Sequence, residues 1–212
     1  MMKSYISLSG FDSSQIVSLI VKYGIEGGDR IILIRPEVEL DARGEQTVDA
    51  VRNLSRQISS SIDVQIHRVN HRNFEDMVVS LKNLIESSEK IGQVMVNLSG
   101  GPREIFLAFA VACLSLPNSI SQTTCFGDID RVLNVVTLPN IAATLEDKQK
   151  RILRDVQENE PTSIGEIAER LSVSESTISR QVARLAEISA LDVLACGKTK
   201  EVKITLTGKL FI

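Results

Sequence analysis

The sequence predicts an α/β domain with a mostly parallel sheet, followed by a smaller α+β domain of short helices and a terminal hairpin. Two observations carry this prediction. Over residues 1–138, short apolar runs alternate with segments whose apolar residues recur at helical spacing. Over residues 146–212, helical spacing comes first and the β-rich runs are confined to the end. Strands alternating with helices imply a parallel sheet, because each crossover between parallel neighbours carries a helix over a sheet face.

The elements follow in order. Residues 3–9, Lys-Ser-Tyr-Ile-Ser-Leu-Ser, form the first strand, with Tyr5 in its core. Asp12, with Gln15 three residues on, resembles a capping box that opens a helix through Lys22. Gly24, Gly27 and Gly28 close it. Residues 31–34 are continuously apolar, as in a strand buried on both faces, and Pro36 ends them. Val48, Val51, Leu54 and Ile58 mark a second helix, and Val64, Ile66 and Val69 alternate as a third strand. Phe74, Met77, Val78, Leu81, Leu84 and Ile85 outline the most regular amphipathic helix. Residues 94–98 form a fourth strand, and Gly100-Gly101-Pro102 leads into a helix over 103–116. That helix is so apolar that its outer side also needs cover, from within the domain or from a second copy of the chain. Residues 123–126 and 132–138 pair as a hairpin about Gly127-Asp128-Ile129-Asp130. A linker is expected over 139–145.

Composition bounds the function. At 212 residues the chain fits one or two domains, and 43% apolar residues suffice for real cores. The opening Met1-Met2-Lys3-Ser4 lacks the pattern of a secretory leader. The most apolar run, 105–116, is too short for a membrane span, which needs about 20 residues. No membrane partner is expected. Cys113, Cys125 and Cys196 are scattered, suggesting neither a zinc cage nor a disulfide framework, and a reduced cytoplasmic setting is expected. His67 and His71 read as surface or edge histidines, since no third ligand accompanies them. The net charge is −3, and residues 146–212 carry eleven basic and eleven acidic side chains. Any contact to nucleic acid must therefore depend on where the charges sit.

In the second domain, residues 146–159 form a helix with Ile152, Leu153 and Val156 on one side, broken by Pro161. Ser163 and Glu166 form a capping box, and Ile164, Ile167, Ala168 and Leu171 line the inner face of the next helix. After Ser172-Val173, Ser174 caps a third helix whose Ile178, Val182 and Leu185 face inward. Two short helices across so tight a turn are a helix-turn-helix. Its outer face carries Ser174, Ser176, Thr177, Arg180 and Arg184. Hydroxyls at a helix start suit phosphate, and Arg180, one turn in, reaches base edges or phosphate. Residues 192–196 and 201–206 pair as a wing presenting Lys198, Lys200 and Lys203. Duplex DNA is the expected partner, and a protein-binding winged helix with solvated Arg180 and Arg184 is the alternative. Glu175 is a counter-signal on the DNA side. The stretch 164–185, "IGEIAERLSVSESTISRQVARL", resembles the helix-turn-helix of MarR-like and ArsR-like regulators.

In the first domain, ligands of an open parallel sheet bind beyond the carboxyl ends of its strands. Two loops stand out there, Ser9-Gly10-Phe11-Asp12-Ser13 and Asn97-Leu98-Ser99-Gly100-Gly101-Pro102-Arg103. Glycines, successive backbone N–H groups and a helix start can cradle phosphate, and Arg103 and Arg35 bring donors to the same edge. Neither the dinucleotide fingerprint nor a P-loop occurs, which argues against an NAD enzyme or a P-loop ATPase. A tight turn with no ligand is the bland alternative.

The segment 96–112, "VNLSGGPREIFLAFAVA", resembles the strand-loop-helix signature of CRISPR-associated Rossmann-fold (CARF) domains. The opening "MKSYISLSGFDSSQI" resembles the first strand and ligand loop of archaeal CARF–winged-helix transcription regulators linked to type I CRISPR systems. The resemblance implies a Rossmann-like domain over 1–138 that forms a homodimer and a winged-helix domain over 146–212. It implies an effector, a cyclic oligoadenylate and most specifically cyclic tetra-adenylate, bound in the dimer cleft, whereas no resident cofactor, no metal and no enzymatic activity are expected of this chain. The implied ligand residues are Ser9, Gly10, Phe11 and Asp12, then Asn97, Leu98, Ser99, Gly100, Gly101 and Arg103. Pro102 stands where many members have a polar residue. Two other readings stay open. One is a metabolite or nucleotide sensor unrelated to CRISPR. The other is weak ring nuclease activity, with Ser9, Ser99 and Arg103 near the reacting atoms.

Overall fold

A computed structural model describes residues 1–10, 12–38, 42–196 and 199–212. Phe11 and Lys198, both expected at binding surfaces, lie outside the described residues. The chain divides into two compact units, Met1–Leu138 and Pro139–Ile212.

In the first unit, β1 (Lys3–Leu8) lies between β2 (Arg30–Pro36) and β4 (Gln93–Asn97), parallel to both. β3 (Asp63–Val69) pairs parallel with β2, and β5 (Gln122–Phe126) pairs parallel with β4. β6 (Leu133–Val135) runs antiparallel to β5, giving the order β3-β2-β1-β4-β5-β6. The helices are α1 (Ser14–Tyr23), α2 (Ala42–Ile58), α3 (Phe74–Glu89) and α4 (Arg103–Ser115). The mostly parallel α/β sheet predicted from the alternation of elements is present.

The period of two along each strand builds a core on both sheet faces. Ile6, Leu8, Ile32, Ile34, Val94 and Val96 pack against Met77, Leu81 and Ile85 of α3 and Ile105, Phe109 and Ala112 of α4. Tyr5, Ile31, Leu33 and Met95, one residue out of step, pack against Ile16 and Leu19 of α1 and Val48 and Val51 of α2. Each fully buried Ile or Leu contributes about 2 kcal/mol, so both faces are needed to hold the central strands. Tyr5 reaches through this core to donate its hydroxyl to the Gly24 carbonyl. Burial first, then Asp29 and Glu26, push its phenol up to about 12. His67 shares a hydrogen bond with Ser80 of α3 (2.8 Å), and desolvation lowers its pKa.

Two local expectations are corrected. The pair Asp12 and Gln15 makes no capping box. Asp12 Oδ1 instead accepts from Ser14 N (2.8 Å), and the Gln15 amide is buried, donating to the Leu8 carbonyl (2.8 Å). The last strand spans Leu133–Val135 rather than 132–138, because its register with β5 covers only Thr124–Phe126. The α4 outer face keeps Phe106, Leu107 and Val111 exposed. Among the described residues no helix is long and apolar enough to cross a membrane.

The second unit contains α5 (Asp147–Asn159), β7 (Thr162–Ser163), α6 (Ile164–Leu171), α7 (Glu175–Glu187), β8 (Leu191–Cys196), β9 (Thr199–Ile204) and α8 (Leu206–Leu210). Ile152, Leu153, Val156, Ile167, Ile178, Val182 and Leu185 form its core with Leu191, Val202 and Ile204. The Ser163–Glu166 capping box forms as the spacing predicts. Ser172, left-handed at φ 54°, lets the chain turn sharply between α6 and α7. Two elements escape the sequence reading. β7 is only two residues long and adds a third strand, in the order β7-β9-β8. The strand expected over 201–206 stops at Ile204, because Thr205 accepts from Gly208 N (3.2 Å) and starts α8.

One polar contact staples this unit. The Arg170 guanidinium donates to both oxygens of Asp155 (2.9 and 2.7 Å) and to Thr162 Oγ1 (2.7 Å), tying α6 to α5 and β7. Asp155 is 8% exposed, so Asp155→Asn leaves a poorly matched group in a buried place. The substitution is expected to destabilise the unit by about 2 kcal/mol. Hydrogen exchange at Ile167 and Val182 would detect the lost protection, and unchanged exchange would refute the staple.

Candidate functional site

The strand order places the first site. The chain builds outward from β1 through β2 to β3, then returns to β4 on the other side of β1. At such a switch point the two loops leaving the central strands diverge and open a crevice beyond their carboxyl ends. The loop after β1 and the loop after β4 meet there. A Cβ on Gly10 would stand 3.1 Å from the Gly101 nitrogen, so the two backbones touch only because side chains are absent. Gly100 and Gly101 adopt φ of 72° and 69°, the left-handed region that favours glycine. A Cβ on Gly100 would lie 2.6 Å from the Gln15 amide, and one on Gly101 3.0 Å from Leu8 Cβ.

A cavity of about 680 Å³ opens over this meeting point. Of the residues expected from the sequence, Ser9, Gly10, Asp12, Arg35, Gly100 and Gly101 line it. Asn97, Leu98 and Ser99 lie beneath and support the second loop. Asn97 donates to the Gln15 carbonyl (3.4 Å), and Leu98 N donates to Thr124 O (2.8 Å). Ser99 accepts from Phe126 N (2.5 Å), so its hydroxyl fastens the loop to β5. Arg103, the first residue of α4, is exposed and is not among the lining residues. Arg35 is 1% exposed and pairs with Glu45 (3.4 Å). Ser9 Oγ and Asn97 Oδ1 are buried without a hydrogen-bond partner among the described residues.

Several lining residues escape the sequence reading. Gln15 comes from α1, His71 from the loop after β3, and Phe126, Asp128 and Arg131 from the β5–β6 turn. The signal was available. Every loop that follows a parallel strand of one sheet reaches the same edge, so the loops after β3 and β5 belong beside the two glycine loops. The cavity wall is mixed in charge, with Arg35 and Arg131 against Asp12, Glu104 and Asp128. The N-termini of α1 and α4 also open at this edge, and such termini favour anions. No group of His, Cys, Asp and Glu among the described residues could hold a metal ion.

The second site is the outer face of α7. Arg180 and Arg184, one turn apart, are both exposed, with Ser176 on the same side of the helix. Ser174 makes no side-chain cap bond, contrary to expectation. Its hydroxyl instead shares hydrogen bonds with Ser176 (3.2 Å) and Thr177 (2.9 Å). Arg184 lies close enough to Glu146 to help lower that carboxyl, after the larger effect of Lys148. Along β9, Val202 and Ile204 face the core, so Lys200 lies on their side of the strand. Lys203 is on the other side, paired with Glu201 (2.9 Å). Lys200 and Lys203 therefore do not share a face.

Comparison with known proteins adds the following. A family model described as the Csa3 CRISPR-associated Rossmann-like domain matches residues 3–122, and one described as winged helix-turn-helix DNA-binding matches residues 145–188. No curated protein matches the chain. Among solved structures, Enterococcus italicus Csm6 bound to cyclic hexa-2'-fluoro-hexa-dAMP is similar at 11% identity and TM-score 0.52. That match covers 86% of this chain and 50% of the Csm6 chain, so this chain spans about half the length of that relative. Protein VC1899 from Vibrio cholerae matches at 13% identity and TM-score 0.47, over 99% of this chain and 64% of that one. A type III CRISPR defence DNA nuclease activated by cyclic oligoadenylate matches at 11% identity and TM-score 0.45, over 89% of this chain and 30% of the nuclease. At such identities the likeness is one of fold.

Proposed function

The chain belongs, through residues 3–122, to the family of Csa3 CRISPR-associated Rossmann-like domains, and from that premise we propose that it is a ligand-responsive, DNA-binding transcription regulator of CRISPR genes. In this reading the first unit senses a cyclic oligoadenylate, specifically cyclic tetra-adenylate, and the winged helix binds duplex DNA. The archaeal type I setting and the cytoplasmic location belong to the same proposal. One observation carries it: two glycine loops converge at the switch point under a cavity of about 680 Å³, in a chain that also carries a helix-turn-helix.

The chemistry supports this reading. Close backbone approach at Gly10, Gly100 and Gly101 admits phosphate oxygens to backbone donors, and Ser9 holds at the cavity wall a buried hydroxyl without a partner among the described residues. A ring with twofold symmetry suits two such cavities in a homodimer, which the exposed Phe106, Leu107 and Val111 of α4 would serve. A ligand controls DNA binding only by favouring one arrangement of the protomers over another. Two recognition helices dock together when half-sites lie about 34–36 Å apart or at a multiple of that distance.

Calorimetric titration tests the reading. Cyclic tetra-adenylate is expected to bind at least about a hundredfold more tightly than AMP, NAD or cyclic dinucleotides, since it alone engages both cavities at once. No heat with the ring would overturn the proposal, and heat with one of the others would favour a metabolite or nucleotide sensor. A single feature favours slow ring cleavage as a second reading: His71 lines the cavity with Nδ1 buried and without a hydrogen-bond partner among the described residues. Ring left intact after a day's incubation would remove it.

A further inference from the structure

Arg131 sits at the end of the β5–β6 turn with φ 58°, a conformation that L-residues other than Asn and Asp rarely adopt. The turn holds it there. Gly127 N donates to Val132 O (2.8 Å), Arg131 N to Gly127 O (3.1 Å), and Val132 N to Asp130 Oδ1 (3.1 Å). So placed, the guanidinium lies 5.0 Å from the centroid of the Phe126 ring and is ion-paired with Asp12. Both partners line the cavity, and the pair joins the loop after β1 to the turn after β5.

Asp12 is itself doubly held. Its Oδ1 accepts from Ser14 N (2.8 Å) and Ser14 Oγ (2.6 Å), and its Oδ2 takes the Arg131 bond. Ser14 first, then Arg131, lower the carboxyl to about 2, so it is fully ionised at neutral pH. An ionised carboxylate on the wall of an anion site repels phosphate unless a cation covers it. Asp12 is half exposed, so water and salt screen its own charge, and it bears on the ligand chiefly through the guanidinium it holds. We propose that Arg131 is an anion-binding residue of this cavity held in reserve by Asp12, and that an incoming phosphate replaces the carboxylate as partner of the guanidinium.

The exchange is inexpensive on both sides. The two side chains are each about half exposed, 53% and 52%, so their pair is worth only a few-fold in an equilibrium. When Arg131 leaves, Asp12 keeps its two Ser14 donors at the start of α1, where the helix dipole also favours a negative charge. Phe126 lies close enough to go on backing the guanidinium while the fork turns from carboxylate to phosphate. This inference takes its natural ligand, the phosphates of a cyclic oligoadenylate, from the reading above. Its anion chemistry stands apart from that reading.

The test titrates the full chain with cyclic tetra-adenylate and, separately, with sodium tripolyphosphate. Arg131→Ala is expected to weaken both about tenfold, the loss of one charge-assisted fork. Asp12→Asn is expected to tighten both about threefold, the release of a half-exposed ion pair. In the Arg131→Ala background the Asn substitution should give no further tightening, because Asp12 acts through Arg131. Arg131→Lys, which keeps the charge and loses the fork, should fall between, and it serves should the alanine variant fail to fold. Weakening by Asp12→Asn would overturn the proposal, as would tightening of full size without Arg131. If tripolyphosphate follows the pattern while the ring gives no heat, the latch stands and the ring-sensing reading falls. If neither probe binds the parent chain, both fall.

Discussion

A Gly100→Asp chain is expected to lose measurable affinity for cyclic tetra-adenylate while its affinity for duplex DNA, measured without the ring, changes far less. Two effects combine at this position. Gly100 adopts φ 72°, and any side chain there meets the Gln15 amide at 2.6 Å. Asp and Asn tolerate left-handed backbone better than other residues, so the strain itself is modest, on the order of 1 kcal/mol. The Gln15 amide is pinned to the Leu8 carbonyl, so the loop gives way and spreads from Gly10. The larger effect is charge. A carboxylate within about 4 Å of a phosphate costs about 4 kcal/mol at an effective dielectric near 20, enough for a loss of roughly a hundredfold or more. Gly100→Asn separates the two effects, since it keeps the steric intrusion and drops the charge. It should retain ring binding weakened by about tenfold. Equal affinities for the Asn and Asp variants would mean that no phosphate approaches Gly100.

The fold was legible because both sheet faces are buried. A strand such as Ile31-Ile32-Leu33-Ile34 has no polar side, and that continuity separates a parallel sheet from a half-solvated antiparallel one. What escaped was short or conditional. β7 spans two residues and exists only because β9 lies beside it. α8 begins where Thr205 chooses Gly208 N over the continuing ladder. The glycine loops of the cavity were visible as Ser9-Gly10 and Gly100-Gly101, since backbone approach demands glycine wherever it occurs. Arg131 was not visible, because nothing in the hairpin spacing tells that its backbone turns left-handed and sends the side chain to Asp12. Ser99 holds a role that its place beside two glycines does not reveal: its hydroxyl accepts from Phe126 N and fastens the loop to β5.

An Arg180→Ala chain should bind its operator more weakly by about 1–3 kcal/mol per half-site, with ring affinity unchanged. Residues 146–212 carry no net charge, so long-range attraction should add little, and affinity should rest on the few cations expected to face the duplex. Arg180 is exposed one turn into α7, past the hydroxyl cluster of Ser174, Ser176 and Thr177, which is expected to meet phosphate first. Arg184 stands further along and shares its field with Glu146, so its removal should cost less. The form of the loss tells what Arg180 reads. If it contacts a base edge, binding weakens mainly for sequences carrying one particular base pair. If it contacts phosphate, all sequences weaken alike and the slope of log affinity against log salt falls by about one per copy. Lys200→Ala, on the wing, should show only the second behaviour. A chain in which Arg180→Ala left operator affinity intact while Gly100→Asp abolished it, both measured without ring, would place the DNA contact in the wrong unit.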